Sequence, residues 1–214
     1  MLNRPKLKLL LGTYNAGKAV EISSVLKDLS IGFLTLGDFS QVQTVEESGS
    51  TYEENAVLKA RGYAQQSGLW TLADDSGLEV DALGGAPGVL SARYAGARAA
   101  DKDRVALLLK QLADRSASDR SARFICVIAL ADSSARIIKT AYGACEGSII
   151  DSPRGTNGFG YDPIFLPHGF SHTFAELPSE TKDVISHRAR ALAAMRRCLI
   201  ELMDSNLTHD DPNS

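Results

Sequence analysis

Thr71-Leu-Ala-Asp-Asp-Ser-Gly-Leu-Glu-Val-Asp81 is the stretch whose reading decides the fold. An apolar run, Leu72-Ala73, ends in adjacent carboxylates at Asp74 and Asp75. Ser76-Gly77 then has turn chemistry, and Leu78-Glu79-Val80 resumes the alternation of a strand. The prediction is therefore strand, turn, strand, with two acids at the first strand's end. Adjacent carboxylates repel, and water or a cation between them relieves the repulsion. Hard divalent ions accept such a place, because Mg2+ takes one or two protein carboxylates together with phosphate oxygens. The stretch alone leaves a solvated turn and a metal site both open.

Upstream, residues 6–11 read as a buried strand, residues 12–18 as a loop and residues 19–29 as a helix. Its apolar face would be Val20, Ile22, Val25, Leu26 and Leu29. Strand, glycine-containing loop and helix is the order in which backbone N–H groups hold phosphate. Gly12-Thr-Tyr-Asn-Ala-Gly-Lys18 nearly matches a Walker A loop. It lacks the Ser or Thr that would follow Lys18, which excludes a P-loop NTPase and leaves Thr13, Asn15 and Lys18 as phosphate-binding candidates. Residues 31–36 form a second predicted strand, and residues 37–50 a polar loop with the acid pair Glu46-Glu47. Ser50-Thr-Tyr-Glu53 reads as a capping box opening a helix that Gly68 stops. Tyr52, Ala56, Ala60, Tyr63 and Ala64 make its buried stripe. Asn55 and Lys59 face either a cleft or solvent, solvent being the ordinary place for a helical lysine.

Downstream, Gly84-Gly-Ala-Pro-Gly88 begins a structured loop reaching Gly96. Residues 101–112 form an amphipathic helix, and residues 123–130 and 135–144 a hairpin turning at Asp132-Ser-Ser134. Residues 124–130 are continuously apolar, as in a strand covered on both faces. In Gly158-Phe-Gly-Tyr-Asp162 the glycines let the backbone approach a ligand. An exposed Phe159 and Tyr161 beside Asp162 could stack on a base, or pack on the core as an ordinary aromatic loop. Ser186 is placed to N-cap the last helix, whose buried stripe is Leu192, Met195, Leu199 and Leu202. Lys182, His187 and Arg188 gather near that helix start, where an anion or carbonyl would suit them. A polar tail, residues 205–214, is expected to fray.

The chain of 214 residues is 44% hydrophobic with a net charge of −3. That is enough to bury a sizeable core, and it excludes a broad nucleic-acid or anionic-membrane surface. Three cysteines, Cys126, Cys145 and Cys198, form no C-x-x-C pair, and the four histidines form no H-E-x-x-H. Zinc knuckles and zincins are excluded, and reduced thiols in a cytoplasmic protein are expected. No apolar run is long enough to span a membrane, and Leu7–Leu11, which carries Lys8, is shorter than the apolar core of a signal segment, so none is expected.

Together these segments resemble the inosine triphosphate pyrophosphatase family, the noncanonical purine nucleoside triphosphate pyrophosphatases. The resemblance is carried by Thr13-x-Asn15-x-x-Lys18, Glu46-Glu47-x-Gly49, Glu54-Asn-Ala56 with Lys59-Ala-Arg61, and Ala73-Asp-Asp-Ser-Gly-Leu78. It continues through Gly84-Gly-Ala-Pro-Gly88, Ser91-Ala-Arg-Tyr94, Gly158-Phe-Gly-Tyr-Asp-Pro-Ile-Phe165 and Ser186-His-Arg188, so that it covers about residues 9–202. Tyr14, where many relatives carry a small residue, and Asn157, in place of a common Gly, depart from the pattern.

The resemblance implies an α/β fold, an elongated mixed sheet with helices in two lobes around a central nucleotide cleft. It implies a single domain over residues 1–204, a homodimer, and Mg2+-dependent hydrolysis of ITP, dITP and XTP to the monophosphate and pyrophosphate. Thr13, Tyr14, Asn15, Ala16, Gly17 and Lys18 would hold the triphosphate, with Lys59 assisting and Ser76 in contact. Phe159, Gly160, Tyr161, Asp162, Lys182, His187 and Arg188 would receive the base. Asp75 would be the catalytic acid-base residue and a metal ligand, completed by Glu46 or Glu47, with Asp74 a candidate to share the proton. The alternatives are a catalytically silent nucleotide-binding regulator of the same fold and a Maf-like pyrophosphatase of other specificity.

Overall fold

The computed structural model describes residues 7–114 and 119–207. The elements in chain order are β1 (Leu7–Leu11), α1 (Ala16–Val25), β2 (Ile31–Thr35), α2 (Tyr52–Ser67), β3 (Thr71–Val80), α3 (Asp101–Asp114), β4 (Ser121–Ala131), β5 (Ile137–Ile149), β6 (Phe165–Pro167), α4 (Ser179–Ile185) and α5 (His187–Leu207). Short 3-10 turns cover Asp81–Leu83 and Gly88–Arg93, so part of the glycine-rich loop is regular after all. The six strands run in the order β2-β1-β3-β4-β5-β6. β1 pairs in parallel with β2, Leu7 opposite Ile31, and with β3, Leu10 opposite Thr71. β6 closes the other edge antiparallel to β5. The mixed α/β class is as expected, and β4 and β5 are sheet neighbours joined at the anticipated turn.

The chain forms two compact units. The first comprises the described residues of Met1–Asp75, Val127–Tyr142 and Ala189–Ser214, and the second Ser76–Cys126 and Gly143–Arg188. In the first, Ala56, Ala60 and Ala64 of α2 pack on Ala73, Val127, Ala129 and Ala131. Small residues on both sides let the helix lie close to the strands, and burying that apolar area stabilises the contact. In the second, Val105, Leu108 and Leu112 of α3 pack with Leu78, Val80, Phe124, Phe165 and Phe174. Three of these rings make an aromatic cluster, Phe124 lying 4.7 Å from Phe165 and 5.9 Å from Phe174.

Several boundaries differ from the sequence reading, each for a local reason. β3 runs unbroken through Ser76-Gly77, which do not turn the chain. Residues 71–75 are all buried, and a paired, buried strand gains more from its ladder hydrogen bonds than the turn chemistry of Ser-Gly offers. α1 starts at Ala16 rather than residue 19, because the Asn15 side chain caps it by accepting from the Lys18 N–H. Val20 is consequently 68% exposed, while Ile22 and Leu26 are buried. The capping box of α2 is Thr51 with Glu54, one residue beyond Ser50 and Glu53. The Glu54 carboxylate also accepts from the Ser50 N–H at 2.6 Å, so Ser50 belongs to the same cap. Ser186 ends α4 as its C-cap and stands immediately before α5. α5 continues to Leu207, and the rest of the anticipated tail lies outside the described residues.

Candidate active site

Two clusters gather most of the residues singled out above, one in each unit. In the first unit Asp74 and Asp75 are adjacent on β3 and therefore point to opposite faces of the sheet. Asp75 shares a face with Ala73, the face that α2 covers. Each carboxylate has its own lysine. Lys18, in the first turn of α1, reaches Asp74 at 3.1 Å, and Lys59 of α2 reaches Asp75 at 3.0 Å. Opposite faces and two nearby counter-charges let the adjacent acids coexist.

Lys59 also binds the Glu47 carboxylate at 2.7 Å, so one ammonium joins the loop after β2 to β3. It is 7% exposed and Asn55 is fully buried, so of the two places the sequence left open this polar helical pair does not take solvent. The Asn55 amide donates to Asp75 at 3.3 Å, and its oxygen accepts from the Gly49 N–H at 2.8 Å. Gly49 must be glycine for this contact. A Cβ there would lie 2.6 Å from the Glu54 Cβ and 2.7 Å from the Asn55 oxygen. Asn55 joins the cluster, and its spacing with Lys59 and its place beside Ala56 are the sequence signal for it.

Burial raises the Asp75 carboxyl above the ordinary carboxylate range, against the pull of Lys59 and Lys18. Burial alone would lower Lys59, but Asp75, Asp74 and Glu47 outweigh it and hold its ammonium above the ordinary lysine value. Glu46 is exposed and Glu47 half-buried. Among the described residues no three His, Cys, Asp or Glu side chains gather closely enough to hold a metal ion by themselves. In the loop before α1, the Thr13 hydroxyl accepts from the Asn15 N–H at 3.1 Å and Asn15 from the Lys18 N–H at 3.2 Å. Tyr14 projects outward, its ring meeting Tyr63 edge-on at 6.3 Å and its hydroxyl donating to the Val42 carbonyl at 3.3 Å. Ala16 is exposed and Gly17 half-buried at the helix start.

The second unit holds the other cluster. Gly158 and Gly160 adopt φ of 74° and 64°, a backbone that L side chains rarely take. Asp162 is buried and accepts from the Phe159 N–H at 3.0 Å and from the Lys182 ammonium at 2.5 Å. Lys182, in α4, lies 5.0 Å from the centroid of the half-buried Phe159 ring, and the Arg188 guanidinium 5.8 Å from it. Arg188 is itself buried and donates to the Ser76 hydroxyl at 3.0 Å. The His187 ring stacks on Phe124 at 4.7 Å. Tyr161 is not exposed. Its ring is in the core and its hydroxyl donates to the Ser91 carbonyl at 3.0 Å, burial pushing its pKa far up. It therefore supports the loop from beneath, and Phe159 is the aromatic face the segment offers.

The first cluster offers lysines and backbone amides for phosphate together with a buried carboxylate base. The second offers an aromatic ring, two cations and a carboxylate, which is the chemistry of a polar base reader.

The sequence model of the Ham1 family matches residues 9–198. A dITP/XTP pyrophosphatase of Coxiella burnetii is 47% identical over 198 residues, covering 91% of this chain and 98% of the relative. The dITP/XTP pyrophosphatase of Geobacter sulfurreducens is 48% identical over 189 residues, covering 88% and 94%. Among solved structures, a HAM1 protein from Coxiella burnetii superposes with a TM-score of 0.82 at 46% identity, covering 91% of this chain and 99% of that one. A dITP/XTP pyrophosphatase from Mycobacterium abscessus does so with a TM-score of 0.70 at 44% identity, covering 88% and 98%.

Proposed function

The chain belongs to the Ham1 family, and from that premise we propose that it hydrolyses dITP, ITP and XTP to the nucleoside monophosphate and pyrophosphate. The observation that carries the reading is the Asp75 carboxylate, buried and held by Asn55 and Lys59. A carboxylate with raised proton affinity is a better base toward water at neutral pH than a solvated one. Asp75 takes the proton as water attacks the α-phosphorus. Lys18, the Thr13–Asn15 turn and the first amides of α1 neutralise charge on the departing pyrophosphate. Lys59 keeps Glu47 and Asp75 together and adds positive charge beside them.

Mg2+ fits this donor set. Glu47 and Asp75 already present oxygens to one cation, the Lys59 ammonium, and Mg2+ is commonly held by two carboxylates with phosphate oxygens completing its shell. We assign Asp75 and Glu47 as its protein ligands, Glu46 standing exposed beside them. When bound, Mg2+ supplies charge neutralisation on phosphate oxygens and acidifies a coordinated water.

Base selection belongs to Phe159, Asp162, Lys182, His187 and Arg188. Hypoxanthine and xanthine carry a 6-oxo acceptor where adenine carries a donor, and cationic donors favour the former. No helix among the described residues is long and apolar enough to cross a membrane. The three thiols without a disulfide suit a reducing, cytoplasmic setting, and the family resemblance supports a homodimer.

The test is pyrophosphate release from ITP, dITP, XTP, GTP and ATP, with and without Mg2+. The expected outcome is Mg2+-dependent release with kcat/KM for ITP and XTP at least about 100-fold above ATP. Binding without release would replace the enzyme by a silent regulator. Equal rates on all five would remove the selectivity.

A further inference from the structure

We infer that Asp101 is a positioning residue for purine binding, fixing the peptide that follows Phe159 and through it the ring offered to the base. The inference rests on the assignment of the 158–162 segment to base recognition. That segment is glycine on both sides of Phe159, with φ of 74° at Gly158 and 64° at Gly160. Such a backbone has many alternatives and no flanking side chains to pack, so its hydrogen bonds decide where Phe159 sits.

The two peptide N–H groups on either side of the Phe159 Cα both go to carboxylates. The Phe159 N–H donates to Asp162, three residues on, and the Gly160 N–H donates to Asp101 at 2.6 Å. Asp162 is local to the loop, whereas Asp101 arrives from the first turn of α3. That helix is anchored in the core by Val105, Leu108 and Leu112. Asp101 thus connects a pliable segment to a rigid one. Its second oxygen is braced by Arg104, whose guanidinium also donates to the Ala92 carbonyl at 3.0 Å and the Ala99 carbonyl at 2.6 Å. Bonds from backbone amides to a carboxylate are among the stronger ones in proteins. Asp101 lies outside every motif that carries the resemblance, and periodicity marks it only as the first residue of an amphipathic helix.

Asp101 touches no reacting atom, so the chemical step has no reason to change when it is removed. A residue that orients the base-binding surface acts on substrate affinity in ground and transition state alike, which raises KM and leaves kcat. The experiment compares wild type, Asp101→Ala and Asp101→Asn in ITP hydrolysis, with calorimetric titration of IMP as an independent binding readout and thermal unfolding as a control. In Asp101→Ala, KM for ITP and Kd for IMP are expected to rise about 10-fold with kcat within about 2-fold. Asp101→Asn keeps an oxygen that can accept from the Gly160 N–H, and is expected to recover most of that loss.

Wild-type KM and IMP affinity in Asp101→Ala would overturn the assignment. So would a fall in kcat at constant KM, or an Asn variant as impaired as the Ala variant. If Asp101→Ala does not fold, Asp101→Glu, which shifts the carboxylate by one methylene, takes its place with the same expected and overturning results. Failure of the underlying reading is distinct, since wild type would then neither release pyrophosphate from ITP nor bind IMP, and both proposals would fall.

Discussion

Asp75 has a carboxyl whose environment works against its own charge. Burial raises its pKa in the folded state above the ordinary value, so the fold favours its neutral form. Stability from this group is therefore complete below the ordinary value and is lost as pH rises through the raised one. At neutral pH the charged carboxylate costs stability, and a neutral isostere does not. Asp75→Asn is expected to unfold at an equal or higher temperature than wild type near pH 7, while kcat falls about 100-fold or more. Thermal unfolding and pyrophosphate release on one preparation check both halves, and near-normal turnover would take Asp75 out of the mechanism. For Lys59 the fold favours the charged form instead. Its raised pKa gives stability throughout the neutral range, lost only as alkaline pH passes the folded value. Lys59→Met leaves Asp75 and Glu47 without their common counter-charge and is expected to cost about 3 kcal/mol in denaturant unfolding. In an Asp75→Asn background that cost is expected to shrink by about 1 kcal/mol or more, because the stranded charge is gone. A cost unchanged between the two backgrounds would mean that Lys59 stabilises by packing alone.

At the scale of elements, the start of α2 fastens the loop that carries Glu47. The Glu54 carboxylate accepts from the Ser50 N–H, the Ser50 hydroxyl and the Thr51 N–H, while Asn55 accepts from Gly49. Thr51→Ala removes only the cap to the Glu54 N–H and is expected to cost about 1 kcal/mol. Gly49→Ala forces the loop off Asn55, so it is expected to cost about 1–3 kcal/mol and also to lower kcat. If denaturant unfolding shows Gly49→Ala destabilised but kinetics show it fully active, Glu47 has no part in the site. The same elements show what the sequence made legible. β1, α2 with its Gly68 stop, and the β4–β5 pair announce themselves by periodicity and punctuation, which are local properties. β3 does not, because Asp-Asp-Ser-Gly carries turn chemistry and only its burial and its neighbours in the sheet hold it extended. Asn15 hides the true start of α1, since its capping bond depends on a backbone geometry the sequence does not print. The acids and the phosphate loop were readable as residue types. Which lysine serves which acid, and the coupling of Asn55 to Asp75, depend on which faces of β3 meet α1 and α2.

For the molecule as a whole, its three cysteines bear on handling. Cys126 and Cys145 are buried, Cys198 is half-buried with its thiol pKa raised by burial, and none is in a disulfide. The melting temperature is expected to be the same with and without reductant. Thiol titration of the native protein should register Cys198 first and all three only after denaturation; a reductant-sensitive melting curve would contradict this. Lys59 leaves a trace of a different kind. An amine must shed its proton to react with an acylating reagent, and this one is shielded and surrounded by carboxylates that keep it charged. Exposed Lys27, Lys102 and Lys110 would be labelled readily, whereas Lys59, and the similarly enclosed Lys182, would stay silent. A covalent footprinting survey that ranks lysines by protection upon nucleotide addition would thus overlook these two amines, because they were already protected before any nucleotide arrived.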